Sequence, residues 1–283
     1  MEQDNQDSRR FGGIERLYGP GALSRFNSAH VMVIGLGGVG SWAAEALARS
    51  GIGALTLVDF DHVSESNTNR QIHALEGEYG RAKVAAMQER VLAIQPDCTV
   101  TCIDEFAKAD NLPSILASPP DFVVDAIDSV RDKTALLAYC HAHEIAMITT
   151  GAAGGKRDPT RLRIADLAMT EHDPLLARVR ANLRKLHGFP RERGVPFGIQ
   201  AVYSVEPVRT PDQVADCVVR DLPTVRWLAG LSCAGYGSSV AVTASFGLWA
   251  AARALEAILA ADHHTASRHL ESVCTRTALV EPA

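Results

Sequence analysis

The chain has 283 residues, of which 47% are hydrophobic and 22% charged, with a formal net charge of -5. That balance is ordinary for a soluble globular protein and leaves enough apolar mass for a sizeable core in one large domain or two small ones. Six cysteines (Cys98, Cys102, Cys140, Cys217, Cys233 and Cys274) lie scattered, which excludes a disulfide-stapled scaffold, and the polar start MEQDNQDSRR carries no charged-then-apolar leader, so a reducing, cytoplasmic setting is expected.

Residues 1–30 read as an N-terminal arm, with Arg9, Arg10, Phe11, Arg16 and Tyr18 interspersed with glycines and a turn at Pro20-Gly21. From Val31 to Asp61 the order is apolar strand, glycine-rich turn, helix, second apolar strand and two acids. Gly35, Gly37 and Gly40 keep a GxGxxG spacing, with Gly38 and Ser41 inside the same turn. Such a turn lets the backbone approach a phosphate while the amides of the next helix face its charge. Asp59 is then placed for ribose hydroxyls, and Asp61 beside it is a second candidate. The spacing alone serves NAD enzymes as well as ATP enzymes, so the residues that follow decide. Asn67-Thr68-Asn69-Arg70-Gln71 comes after the second strand, Lys83 opens another helix, and Phe122-Val123-Val124 leads into Asp125-Ala126-Ile127-Asp128. Cleaving ATP at its α-phosphate calls for that set, since an arginine and a lysine neutralise the transition state while a carboxylate holds magnesium.

Strands are predicted at Val31–Ile34, Leu55–Val58, Thr99–Ile103, Phe122–Val124 and Ile145–Thr149, and helices near Ser41–Ser50, Ala82–Ile94 and Asp132–His141, an alternating α/β pattern. The stretch 151–200 reads as a crossover region within a domain spanning 31–262, with a strand at Val202–Val208 and an uncertain segment at Asp221–Leu231. It is also a basic island: Gly151 to Arg193 holds ten Lys/Arg against five Asp/Glu. Arg178, Arg180, Arg184 and Lys185 fall at helical spacings and suggest a cationic strip for a polyanion. Trp227 to Ala252 has no formal charge, yet its Gly, Ser and Thr content argues for a buried core or interface helix from Ser238 to Ala261 and against stable membrane insertion. A polar tail, 263–283, follows.

Gly35-Leu36-Gly37-Gly38-Val39-Gly40-Ser41, Asp59-Phe60-Asp61, Asn67 with Arg70-Gln71, Lys83 and Asp128 together resemble the ubiquitin-activating-enzyme-like (ThiF-type) adenylyltransferases, a Rossmann-like ATP-binding fold with a mixed sheet flanked by helices. The strings GSWAAEALARSGIGALTLVDFD, NTNRQIHAL, DAIDSVRDK and TTGAAGGKRDPT are similar to the tRNA threonylcarbamoyladenosine dehydratase branch. The resemblance implies ribose binding by Asp59, nucleotide and phosphate contacts by Asn67 and Lys83, and magnesium and activation at Asp128. It also implies Arg70 reaching in from the partner subunit of a homodimer. A further arginine from the arm is implied, and because Gly13 stands at the usual position, Arg16 or Arg10 substitutes.

The implied activity is ATP-dependent dehydration of the modified adenosine beside the tRNA anticodon, with no DNA partner and room for a cysteine-desulfurase sulfur-relay protein. A sulfur-carrier adenylyltransferase is the alternative within the fold, and an NAD-linked oxidoreductase the alternative outside it. The chain has no C-x-x-C pair, so no structural zinc is expected. Cys217 and Cys233 are minor nucleophile candidates, Cys98 and Cys102 are expected to be buried, and His73, His141, His143, His263 and His264 to lie at the surface.

Overall fold

A computed structural model describes residues 2–209 and 236–277. Its centre is a seven-stranded sheet in the order β3-β2-β1-β4-β5-β7-β6: β1 (His30–Ile34), β2 (Ala54–Val58), β3 (Thr99–Ile103), β4 (Phe122–Asp125), β5 (Met147–Thr150), β6 (Leu162–Asp166) and β7 (Gln200–Ser204). All neighbours run parallel except β6 against β7. The five predicted strands thus form within two residues of their expected limits. Strand β7 starts two residues before the expected Val202, and β6 is an addition.

Alternation along β1 splits the core into two layers. Val31 and Val33 face one cluster with Leu47, Leu55, Leu57 and Val124, whereas Met32 and Ile34 face the other with Leu112, Val123, Leu136 and Cys140. The helices covering these layers are α1 (Glu2–Tyr18), α2 (Ala22–Ser28), α3 (Gly40–Arg49), α4 (Lys83–Ile94), α5 (Leu112–Ile115), α6 (Val130–Ala142), α7 (Pro174–Leu186) and α8 (Val240–Thr277).

The expected arm is helical. Gly12 and Gly13 inside α1 each cost about 1 kcal/mol in helix propensity, but Phe11 is buried at the Gly51 turn beside Leu23, and burial of such a side chain outweighs that cost. The helix expected from Ser238 forms as α8 and continues through Thr277, into the expected tail. Its Val240–Ala261 portion is long and apolar enough to cross a membrane, with mean hydropathy 1.3. One face nevertheless lies in the core through Val242, Phe246, Ala250 and Ala254. Gly247 makes that possible: a Cβ there would stand 2.3 Å from the Val39 oxygen, so α8 meets the start of α3 at backbone distance. The opposite face leaves Val240, Leu248 and Trp249 exposed. Asp221–Leu231, Cys217 and Cys233 lie outside the described residues.

Candidate active site

The sheet order reverses between β1 and β4, and the crevice beyond the strand ends there is where open α/β sheets hold ligands. A cavity of about 580 Å³ occupies it. Gly35, Gly37 and Gly38 line it, as do Asp59, Asp61, Asn67, Arg70, Lys83 and Asp128, so nine predicted residues meet in one place. The glycine turn is as tight as its spacing requires, since a Cβ on Gly40 would lie 1.8 Å from the Gly35 oxygen.

Asp59 directly follows β2 and braces this turn. Its Oδ2 accepts from the Leu36 amide at 2.6 Å and its Oδ1 from the Asp61 amide at 2.8 Å. Burial pushes its carboxyl above the usual carboxylate range, against the pull of Lys83 and of those two amides. Lys83 is itself buried, and its ammonium donates to the exposed Asp61 Oδ2 at 2.9 Å. A phosphate entering the cavity would meet a desolvated cation already facing it, where a charge pair is stronger than in water. Asn67 closes a short 3₁₀ turn by accepting the Ser64 amide at 3.1 Å, which holds the segment leading to Arg70.

Asp128 stands exposed where β4 gives way to α6, and its loop is set by Asp125, three residues earlier. The Asp125 carboxylate is fully buried, takes Lys133 Nζ at 2.7 Å and Thr149 Oγ1 at 2.6 Å, and also accepts the Ile127 amide at 3.0 Å. Sequence reasoning passed over this group although Asp125 and Lys133 sit in the quoted DAIDSVRDK string, because their pairing depends on Thr149 in the next strand. Gln71 and Thr243 were also missed as site residues. Both line the cavity and are buried, and Gln71 Oε1 and Thr243 Oγ1 have no hydrogen-bond partner among the described residues. An unpaired buried polar atom costs about 1–3 kcal/mol, so each marks a place where a ligand has something to satisfy.

Several expectations are corrected. Arg70 belongs to the cavity of its own chain: its stem lies against Gly38, and its guanidinium donates to Ser66 O at 2.7 Å and Asn69 Oδ1 at 2.9 Å. No partner is needed to bring it there. Ser41 is fully buried and spends its hydroxyl on Gly37 O at 2.7 Å, shaping the turn without lining the cavity. Arg16 is exposed on α1, which packs at the amino end of β2 through Phe11 and Gly51, so it does not line its own chain's cavity. The cationic strip is uneven. Arg180 is half-buried on Thr170 Oγ1, and Arg184 donates to Pro190 O and lies over the Phe197 ring, whereas Arg178 and Lys185 are exposed, as are Arg191 and Arg193.

His73 is buried, with neither ring nitrogen paired among the described residues, and burial beside Lys83 and Arg90 pulls it down to about 4. Between the ordinary value of 6.5 and about 4 the unfolded chain therefore binds a proton that the folded one refuses, so stability falls as pH drops through that window. The full loss is up to about 3 kcal/mol at 1.36 kcal/mol per unit, and His73→Gln should flatten urea-unfolding free energy measured from pH 7 to 4. An unchanged slope would show that His73 titrates alike in both states. His141 and His143 are exposed as expected. Cys98 is buried and Cys102 half-buried, and burial pushes the Cys98 thiol up to about 11 and Cys140 to about 12, far from a reactive thiolate.

The ThiF family profile matches residues 12–278. A tRNA threonylcarbamoyladenosine dehydratase of Haemophilus influenzae is 46% identical over 257 residues, covering 90% of this chain and 95% of that protein. The crystal structure of the Escherichia coli tRNA N6-threonylcarbamoyladenosine dehydratase in complex with ATP superposes with a TM-score of 0.81 at 44% identity, over 91% of this chain and 96% of that one. Its complex with AMP gives 0.80 at 44%, over 90% and 96%. With the glycine turn, Asp59, Arg70, Lys83 and Asp128 gathered around one cavity, the chain belongs to the ThiF family, within its tRNA threonylcarbamoyladenosine dehydratase branch.

Proposed function

We propose that this enzyme uses ATP to dehydrate threonylcarbamoyladenosine in tRNA, adenylating the threonyl carboxylate and then closing a ring. The observation that carries the reading is the placement of Arg70, Lys83 and Asp128 around one glycine-lined cavity. A carboxylate oxygen attacks the α-phosphorus, the bond to the β-phosphate oxygen breaks, and pyrophosphate leaves. The carbamoyl group of the same substrate then attacks the activated carbonyl and expels AMP, so one water is lost from the nucleoside for each ATP split.

The chain's own part is positioning and charge. The Gly35–Gly40 turn brings backbone amides to the phosphates, Asp59 takes the ribose, and Lys83 and Arg70 offset charge developing on phosphate oxygens. No cluster of three His, Cys, Asp or Glu that could hold a metal exists among the described residues. The exposed Asp128 fits magnesium, which takes one or two carboxylates and substrate phosphates in place of an all-protein cage. When bound, magnesium would neutralise phosphate charge there.

A homodimer is part of the proposal, supported by the unpartnered Val240, Leu248 and Trp249 face of α8. So is tRNA docking on α7, which runs from Leu175 at the cavity to the exposed Lys185. Reversing Arg178 and Lys185 to Glu should weaken tRNA binding and flatten its salt dependence by about one unit of log-log slope per lost phosphate contact, with ATP affinity unchanged. Unchanged tRNA affinity and slope would place the RNA elsewhere. The reading itself is tested by following pyrophosphate release with tRNA carrying threonylcarbamoyladenosine and, in parallel, with a ubiquitin-like protein ending in glycine. Release with the tRNA alone is expected, and release only with the protein would favour the sulfur-carrier alternative.

A further inference from the structure

Thr243 lies in the first turn of α8, fully buried, yet it lines the cavity, and its hydroxyl has no partner among the described residues. A Cβ on Gly38 would stand 3.3 Å from Thr243 Cβ and 3.1 Å from Arg70 Cγ, so the two side chains close on Gly38 together. Helix α8 packs on α3, β4 and β5, which puts Thr243 where the glycine turn meets the β4–β5 half of the sheet. Asp59 marks the ribose end on the β2 side. The acyl substrate must therefore approach the α-phosphorus from the other side, along the wall formed by Thr150, Gly151 and Ala152.

We propose that Thr243 is a substrate-positioning residue whose hydroxyl donates to the substrate carboxylate, holding one oxygen while the other attacks the α-phosphorus. The inference rests on the adenylation reading above. The Arg70 stem now lies over the same glycine, with its guanidinium tied to Ser66 and Asn69. A hydroxyl retained for this purpose is unpaired in the free protein, and unpaired buried groups lower stability. Thr243 therefore carries a signature that a packing residue does not: removing its oxygen should impair turnover without lowering stability.

The test compares Thr243→Val, which keeps the shape and loses the hydroxyl, with Thr243→Ser, which keeps the hydroxyl. The valine variant should lose roughly 10- to 100-fold in kcat/KM for threonylcarbamoyladenosine tRNA, the worth of one hydrogen bond to a charged group. Its Kd for ATP should be unchanged and its Tm equal to or above that of the wild type, and the serine variant should regain most of the activity. Wild-type kcat/KM in Thr243→Val would overturn the proposal, and an equal loss in ATP affinity would reassign the hydroxyl to the nucleotide. A lower Tm would mean that it has a structural partner. Failure of the wild-type enzyme itself to act on the tRNA would sink the adenylation reading, a result these variant ratios cannot mimic.

Discussion

Asp128→Ala should lower ATP-dependent pyrophosphate release by about 10²- to 10³-fold, the usual cost of removing one preorganised electrostatic group from a transition state. The side chain is exposed at the cavity and makes no hydrogen bond among the described residues, so the fold should survive and Tm should stay within a degree or two of wild type, as for other surface substitutions. On the proposed role of Asp128 in both holding and aligning magnesium, excess metal should recover little. Near-normal turnover would remove Asp128 from the catalytic set. Arg70→Ala should show a comparable loss, and because Arg70 and Asp128 line the cavity of one chain, mixing the two inactive variants should restore no activity. Recovery after proven subunit exchange would show that one of the two acts across the dimer.

The largest expected effect on stability is that of Lys133→Met. Lys133 and Asp125 form an ion pair in which both side chains are 0% exposed. Breaking such a pair from one side leaves an uncompensated buried charge and costs about 3–5 kcal/mol. At roughly 2–4 °C per kcal/mol for a domain of this size, Tm should fall by about 10 °C. Replacing both partners, as Lys133→Met with Asp125→Leu, should recover much of that loss, since no charge is then stranded. It should not recover activity, because Asp125 also accepts the Ile127 amide and so sets the loop that presents Asp128. Calorimetry and turnover on the three proteins separate the two roles. A double variant no more stable than Lys133→Met would show that the pair's neighbours, and not its charges, dominate.

The strand, turn, helix and strand from Val31 to Asp61 were legible because their signals are local: an apolar run, a glycine spacing and a second run ending in acids. The cavity residues Asn67, Lys83 and Asp128 were legible through residue type and order, as a set that ATP cleavage calls for and a family pattern shares, and nothing in their spacing alone says that the chain folds them together. What escaped was long-range. Strand β6 owes its place to antiparallel pairing with β7, a long-range contact. Helix α1 is held by Phe11 against a turn some forty residues later, against the propensity of its two glycines. Arg70, expected to reach in from a partner subunit, lines the cavity of its own chain, because a motif carries residue type and order but not the direction from which a side chain enters. Thr243 lies in a run that reads only as a buried helix, and its role shows only when Gly38 and the cavity stand next to it.

Mass analysis of the tRNA nucleosides after incubation with the enzyme and ATP tests the central claim most directly. The account predicts that threonylcarbamoyladenosine loses the mass of one water, with one AMP and one pyrophosphate formed per nucleoside converted, and that Asp128→Ala lowers the rates of all three together. An unchanged nucleoside mass under conditions where the protein binds both ATP and the tRNA would contradict it.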